Sequence, residues 1–100
     1  MATTATVLFR GAASTSSTTL YTSPSSTTTV VSEILVTNTA STPATFTISL
    51  NGTAIMSGAS VSGYSTVFLN INEVLPATQI LAGYSSATTV NFSISGVQII

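Results

Sequence analysis

The chain has no cysteine, no histidine, no lysine, no aspartate and no tryptophan. Without cysteine there is no disulfide and no thiolate metal site. Without histidine as well, the usual ligands for zinc and other transition metals are missing. The ionic side chains are Arg10, Glu33 and Glu73, 3% of the residues, where ordinary soluble domains carry about 25%. One arginine cannot build the basic face that a phosphate backbone requires, so no nucleic-acid partner is expected. No apolar run approaches the length that spans a bilayer, so no membrane segment is expected. Met1 to Thr6 has neither a basic segment nor an apolar core and does not read as a signal peptide. The expectation is a chain made in a cytosol and not exported by the general secretory route.

These absences bear on catalysis. An enzyme needs a proton-transfer group, an activated nucleophile, a metal or a cofactor. Glu33 and Glu73 are the only side-chain carboxylates. Two carboxylates can flank a glycosidic bond, but one lies in a strand-like run and the other in a stretch read as a loop. The serine and threonine hydroxyls have no base to activate them. Gly52, Gly58, Gly63, Gly83 and Gly96 stand where turns or bulges are expected, not in a phosphate-binding cradle. The expectation is a non-enzymatic protein with no cofactor and no metal. The sequons at Asn51 and Asn91 read as chance matches in a Ser/Thr-rich chain.

What the chain does have is hydroxyls and apolar residues. It holds 17 Ser and 20 Thr, and 44% of it is hydrophobic. A Ser/Thr-rich chain can be a disordered stalk, but disorder needs low hydrophobicity and usually high charge. Thr and Val are instead good strand formers, because β-branched side chains fit a pleated surface. A net charge of −1 gives little repulsion between copies, and near-neutral proteins tend to associate. Adaptation to an unusual environment is one reading; a surface covered by neighbours is the favoured one.

The periodicity is that of strands throughout. Residues 2–10 alternate loosely, with Thr6, Leu8 and Arg10 facing one way and Val7 and Phe9 the other. They read as an extended arm or edge strand, and residues 11–17 as a loop. Residues 18–22 form a short strand, followed by a turn at Ser23-Pro24-Ser25-Ser26. Residues 28–39 are apolar on both faces, as in a strand central to a sandwich. After a turn at residues 40–43, residues 44–50 alternate with Phe46, Ile48 and Leu50 inward and Thr45, Thr47 and Ser49 outward. Asn51-Gly52 follows, the signature of a type I′ hairpin turn, and residues 53–56 return. Residues 57–63 read as a loop and residues 64–71 as a strand with Val67, Leu69 and Ile71 on one face. Residues 72–77 read as a loop around Pro76 with room for one helical turn. Residues 79–84 and 90–100 are the last strands, and a β-bulge at Gly96 would restore the register of the final one.

About seven to nine strands at this spacing predict an all-β fold, a single antiparallel β-sandwich or jelly roll. Residues 1–17 are expected to be an extended N-terminal arm and loop, and residues 18–100 the β-sandwich domain. The candidate interface residues are Val7, Phe9 and Arg10 on the arm, with Tyr21, Tyr64 and Tyr84. Arg10 is the only cation. Its planar fork can clamp a neighbour's carboxylate or backbone, or pair with Glu33 or Glu73 in the same chain. The tyrosines suit either packing or a sugar-stacking platform, and packing is favoured.

The stretch "LYTSPSSTTTVVSEILVTNTASTPATFTISLNGTAI", with the tail "QILAGYSSATTVNFSISGVQI", resembles a group of small structural proteins of tailed-phage virions. The residues carrying the likeness are Tyr21, Thr22, Pro24, Val30, Val31, Val36 to Asn38, Asn51-Gly52 and Tyr84 to Phe92. The likeness covers residues 18–100, and members of the group usually carry more charge. It implies a β-sandwich that decorates or joins other virion proteins. The expected form is a capsid cement or decoration protein: a homotrimer bound to the major capsid protein, assembled in the host cytoplasm and located in the virion. A tail, neck or baseplate component is the nearest alternative. A receptor- or carbohydrate-binding module of a fibre or adhesin would instead group the tyrosines beside a groove. A filament subunit would donate its first ten residues to the next subunit's sheet.

Overall fold

Asn51 and Gly52 have φ angles of 48° and 86°, the consecutive left-handed conformations of a type I′ turn. The computed structural model describes residues 2–100, and the fold is symmetric in chain order about this turn. The strands are β1 (Thr3–Ala12), β2 (Thr18–Thr22), β3 (Thr28–Asn38), β4 (Ala44–Leu50), β5 (Thr53–Val61), β6 (Thr66–Leu75), β7 (Ile80–Ser85) and β8 (Val90–Ile99). Outward from the turn, β4 pairs with β5, β3 with β6, β2 with β7 and β1 with β8, all antiparallel. The chain is thus one long hairpin. It is wound so that β8 also pairs with β3, and β7 with β4. The result is two four-stranded sheets, β1-β8-β3-β6 and β2-β7-β4-β5. An eight-stranded double sheet wound in this way is a jelly roll.

The expected all-β sandwich is the observed one, and the strand around residues 28–39 is central, flanked by β8 and β6. Several boundaries differ. The N-terminal stretch takes the edge-strand form, one of the two expected, and pairs along β8 from Thr3 to Ala12, so the sandwich takes it in and does not begin at residue 18. Residues 57–61 are strand, not loop, because β5 continues beside β4 as far as Val61. Small side chains suffice there, and Gly58, at φ 60°, donates its N–H to Thr47 Oγ1 at 3.0 Å. Thr47 faces outward as expected, beside Tyr84, but is buried there. Residues 72–75 are also strand and hold no helical turn, because β6 pairs with β3 up to Leu75. Leu75 is fully buried, and Pro76, lacking an N–H, ends the ladder.

The expected bulge at Gly96 lies instead on the neighbouring strands. β8 alternates without interruption, Val90, Phe92, Ile94 and Gly96 being buried. The register shifts fall between Val7 and Phe9 on β1 and between Val31 and Glu33 on β3. In each case the extra residue sits beside Ser95. The bulge breaks the expected alternation of β1, so that Leu8 is buried while Phe9 also packs against the core. A Cβ at Gly96 would overlap the Val30 carbonyl oxygen and lie 3.1 Å from Leu8 Cδ1. Leu8 fills the space that a side chain at position 96 would take.

The core lies between the sheets. Val31, Ile34, Val36, Phe92 and Ile94 of the first sheet meet Phe46, Ile48 and Leu81 of the second. The Phe46 and Phe92 rings pack edge to face, with centroids 6.2 Å apart. Each such side chain contributes roughly 1.5–3 kcal/mol by leaving water.

Polar clusters close both ends. At one end Gln98 Nε2 donates to the Tyr21 hydroxyl at 2.7 Å. The Tyr21 and Thr29 hydroxyls lie 3.0 Å apart, and those of Thr29 and Ser23 2.9 Å. Ser23 then donates to the Thr27 carbonyl at 3.1 Å. This chain lets each hydroxyl donate once and accept once, which strengthens every link. At the other end the fully buried Asn38 donates from Nδ2 to the carbonyls of Thr42 (2.7 Å) and Val61 (3.4 Å). Its Oδ1 accepts from the Ala40 N–H (3.1 Å) and the Thr89 hydroxyl (3.3 Å). No buried side-chain polar atom is left unsatisfied among the described residues.

Candidate interaction surface

Residues directly opposite in an antiparallel ladder share a face, so the register lays out the outer face of the first sheet in rows. The central row, read from β1 to β6, is Arg10, Ser93, Leu35, Phe68. The row beside it is Val7, Ser95, Glu33, Asn70. The next is Ala5, Val97, Val30, Val74. On the far side of the central row stand Ala12, Asn91, Thr37 and Thr66. Phe68 is 67% exposed, Val74 57% and Val7 48%. Among the described residues these three are half of the exposed large hydrophobic ones, the others being Tyr64, Tyr84 and Ile100.

Arg10 and Glu33, two of the three ionic side chains, stand on this face in adjacent rows. Arg10 Nε donates to Ser93 Oγ at 3.2 Å, a contact that turns the guanidinium in over the sheet. It borders a shallow groove of about 250 Å³ with Leu35, Thr37, Asn91 and Ser93. A second depression of about 490 Å³ runs beside Val7, Ser95 and Val97. The outer face of the second sheet is different. Its rows are Thr45 beside Ser60, Tyr84 beside Thr47, Ala82 between Thr19 and Ser49, and Ile80 beside Thr22, uncharged and mostly small, with one tyrosine and one isoleucine.

The six candidate interface residues do not form one surface. Val7 and Arg10 share the outer face of the first sheet. Phe9, opposite the buried Ile94, points inward. Tyr21 is held in the hydroxyl chain at one end of the sandwich. Tyr64 is 75% exposed in the β5–β6 loop, in a left-handed conformation (φ 52°), and its N–H bonds to Ala40 near the other end. Tyr84 lies on the second sheet. The tyrosines therefore build no common stacking platform, and neither groove is lined by one.

Sequence reasoning misses Val30, Glu33, Leu35, Phe68, Val74 and Val97. One signal is present: with Val67, Leu69 and Ile71 inward, strand alternation puts Phe68 outward. Apolar residues on both faces of β3 predict a doubly covered strand, whereas one of its faces is open.

Compared with known proteins, the chain matches no family model, no curated protein and no solved structure. The surface must therefore be read from its own chemistry. It offers apolar contact over several strands and one charge of each sign. No group of three or more potential metal-ligating side chains occurs among the described residues.

Proposed function

We propose that this chain is a structural virion protein, a capsid cement or decoration protein that stabilises an assembled shell through protein–protein contacts. The observation that carries the proposal is the open face of the first sheet, where Val7, Leu35, Phe68, Val74 and Val97 stand around one charge of each sign, Arg10 and Glu33. Apolar surface left in contiguous patches marks interaction sites. Fold alone does not select a role. Jelly rolls serve as viral capsid domains, lectins and cupins. The chain has no histidine or cysteine to hold a cupin-type metal, and its tyrosines are too dispersed for a lectin platform. Assembly is the use that suits the surface, and the likeness of residues 18–100 to phage virion proteins points the same way. A cement protein needs no reaction centre. It binds the assembled lattice and raises its stability by mass action, and many weak contacts add up through avidity. Its partners are the major capsid protein and further copies of itself.

The test is electron microscopy of virions carrying the chain, labelled with antibody against it. Label distributed over the shell is the expected result. Label confined to the tail, neck or baseplate would overturn the cement assignment.

A further inference from the structure

We propose that the outer face of the first sheet is a self-complementary interface, which a second copy of this chain covers across a two-fold axis. Two features select a copy of the chain as the occupant. The first is charge. Arg10 and Glu33 lie two strands and two residues apart in register, a separation of about 12 Å by strand and residue spacings. In a two-fold interface residue i meets residue j and j meets i. An axis passing over β8 between Ser93 and Ser95 brings Arg10 of each copy over Glu33 of the other. Both charges on the face are then neutralised, with none left over. Any other partner would have to supply the matching pair, in mirrored order, on an equally apolar surface.

The second feature is the apolar contact around the charges. The axis that pairs Arg10 with Glu33 lies across the line joining them, so the strands of the two copies cross at about 70° and the sheets overlap over about 19 × 20 Å, roughly 800 Å² over both copies by these spacings. That is the size of a weak, concentration-dependent contact. Ser93 sits near the middle of this area, with Arg10 on the edge strand β1 and Glu33 on β3 to either side. Phe68 and Val7 add apolar contact beside the charges. The second sheet offers neither the charge pair nor the apolar flanks.

The contact uses the same open face that carries the virion proposal and names a second copy of the chain as what covers it, and it is two-fold where the family likeness implies a trimer. Sedimentation equilibrium of the full chain at low salt therefore separates the two. The expected particle contains two chains. Arg10→Glu sets two carboxylates against each other at both symmetry-related contacts, and Glu33→Arg sets two guanidinium groups together in the same way. Each variant should weaken the dimer about 10- to 100-fold, as expected when two exposed pairs change from attraction to repulsion. A 1:1 mixture of the two variants should restore the dimer. The introduced glutamate of one chain then meets the introduced arginine of the other, while the native pair re-forms at the second contact. An odd-numbered ring cannot satisfy every contact of such a mixture. Phe68→Ser, at an exposed position that folding does not need, should also weaken the dimer without loss of the β-sheet circular-dichroism signal. A wild-type monomer, a wild-type trimer, undiminished association of both charge variants, or a mixture that stays dissociated would each overturn the proposal. A trimer would do so while leaving the cement reading intact.

Discussion

Replacing Asn38 with alanine tests how the sandwich is closed. The Asn38 side chain makes four hydrogen bonds, to Thr42, Val61, Ala40 and Thr89. These tie together the β3–β4 loop, the end of β5 and the start of β8. Alanine leaves the Thr42 carbonyl and the Ala40 N–H without these partners. A buried polar group without a partner costs about 1–3 kcal/mol. The Val61 bond is long, and the Thr89 hydroxyl can rotate to another acceptor, so those two count for little. The sum is about 3–4 kcal/mol, a large part of the 5–15 kcal/mol typical of a domain. For a domain of this size that lowers Tm by roughly 12–25 °C. Thermal and urea unfolding, followed by circular dichroism at one protein concentration, measures it. Asn91→Ala is the control, because Asn91 is exposed at the adjacent end of β8 and should change stability by less than about 0.5 kcal/mol. Asn38→Asp sharpens the test. The carboxyl would face the carbonyls of Thr42 and Val61 in a buried site, both of which disfavour its charged form and raise its folded pKa. A carboxyl raised in the folded state binds more protons there than in the unfolded chain. That variant therefore loses stability as pH rises above the unfolded value of about 4, a loss that the alanine variant lacks. An alanine variant within about 1 kcal/mol of wild type would refute the claim that Asn38 pins this end.

Two further outcomes follow from the packing. Gly96→Ala should destabilise by at least about 2 kcal/mol, because the new methyl meets the Val30 backbone as well as Leu8; removing Leu8 in the double variant should not rescue it, since the Val30 carbonyl, the nearer of the two, still obstructs the methyl. Tyr21→Phe should cost about 1–2 kcal/mol by breaking the Gln98–Tyr21–Thr29 chain, whereas Tyr64→Phe should be neutral; equal effects in chemical denaturation would show that the hydroxyl chain contributes nothing.

Much of the fold was legible because its signals are local. Asn51-Gly52 combines two residues that tolerate positive φ between alternating apolar runs, and it is the centre of the molecule. The alternation at Phe46, Ile48 and Leu50 named the inner face of β4 directly. The strand boundaries missed, residues 57–61 and 72–75, lie on the sheet-edge strands β5 and β6. There one partner strand suffices to hold the backbone, and small or polar side chains carry no pattern. The bulge was misplaced for a related reason. A glycine interrupts the apolar pattern whether the strand kinks or a neighbour fills the gap, and here Leu8, remote in sequence, fills it.

The interaction surface was harder to read. Val7 and Arg10 could be named from the first strand alone. Their companions Leu35, Phe68 and Val97 come from three other strands, joined only by the register. By itself the sequence determined the strand-forming character of the chain, the central turn and the scarcity of charge, because these depend on the residues in place and their immediate neighbours. Only the tertiary structure decided which strands share a sheet, which glycine is filled by which leucine, and that Arg10 and Glu33 stand on one open face. Those relations are between residues far apart in the chain, and they exist only once the long hairpin has wound into two sheets.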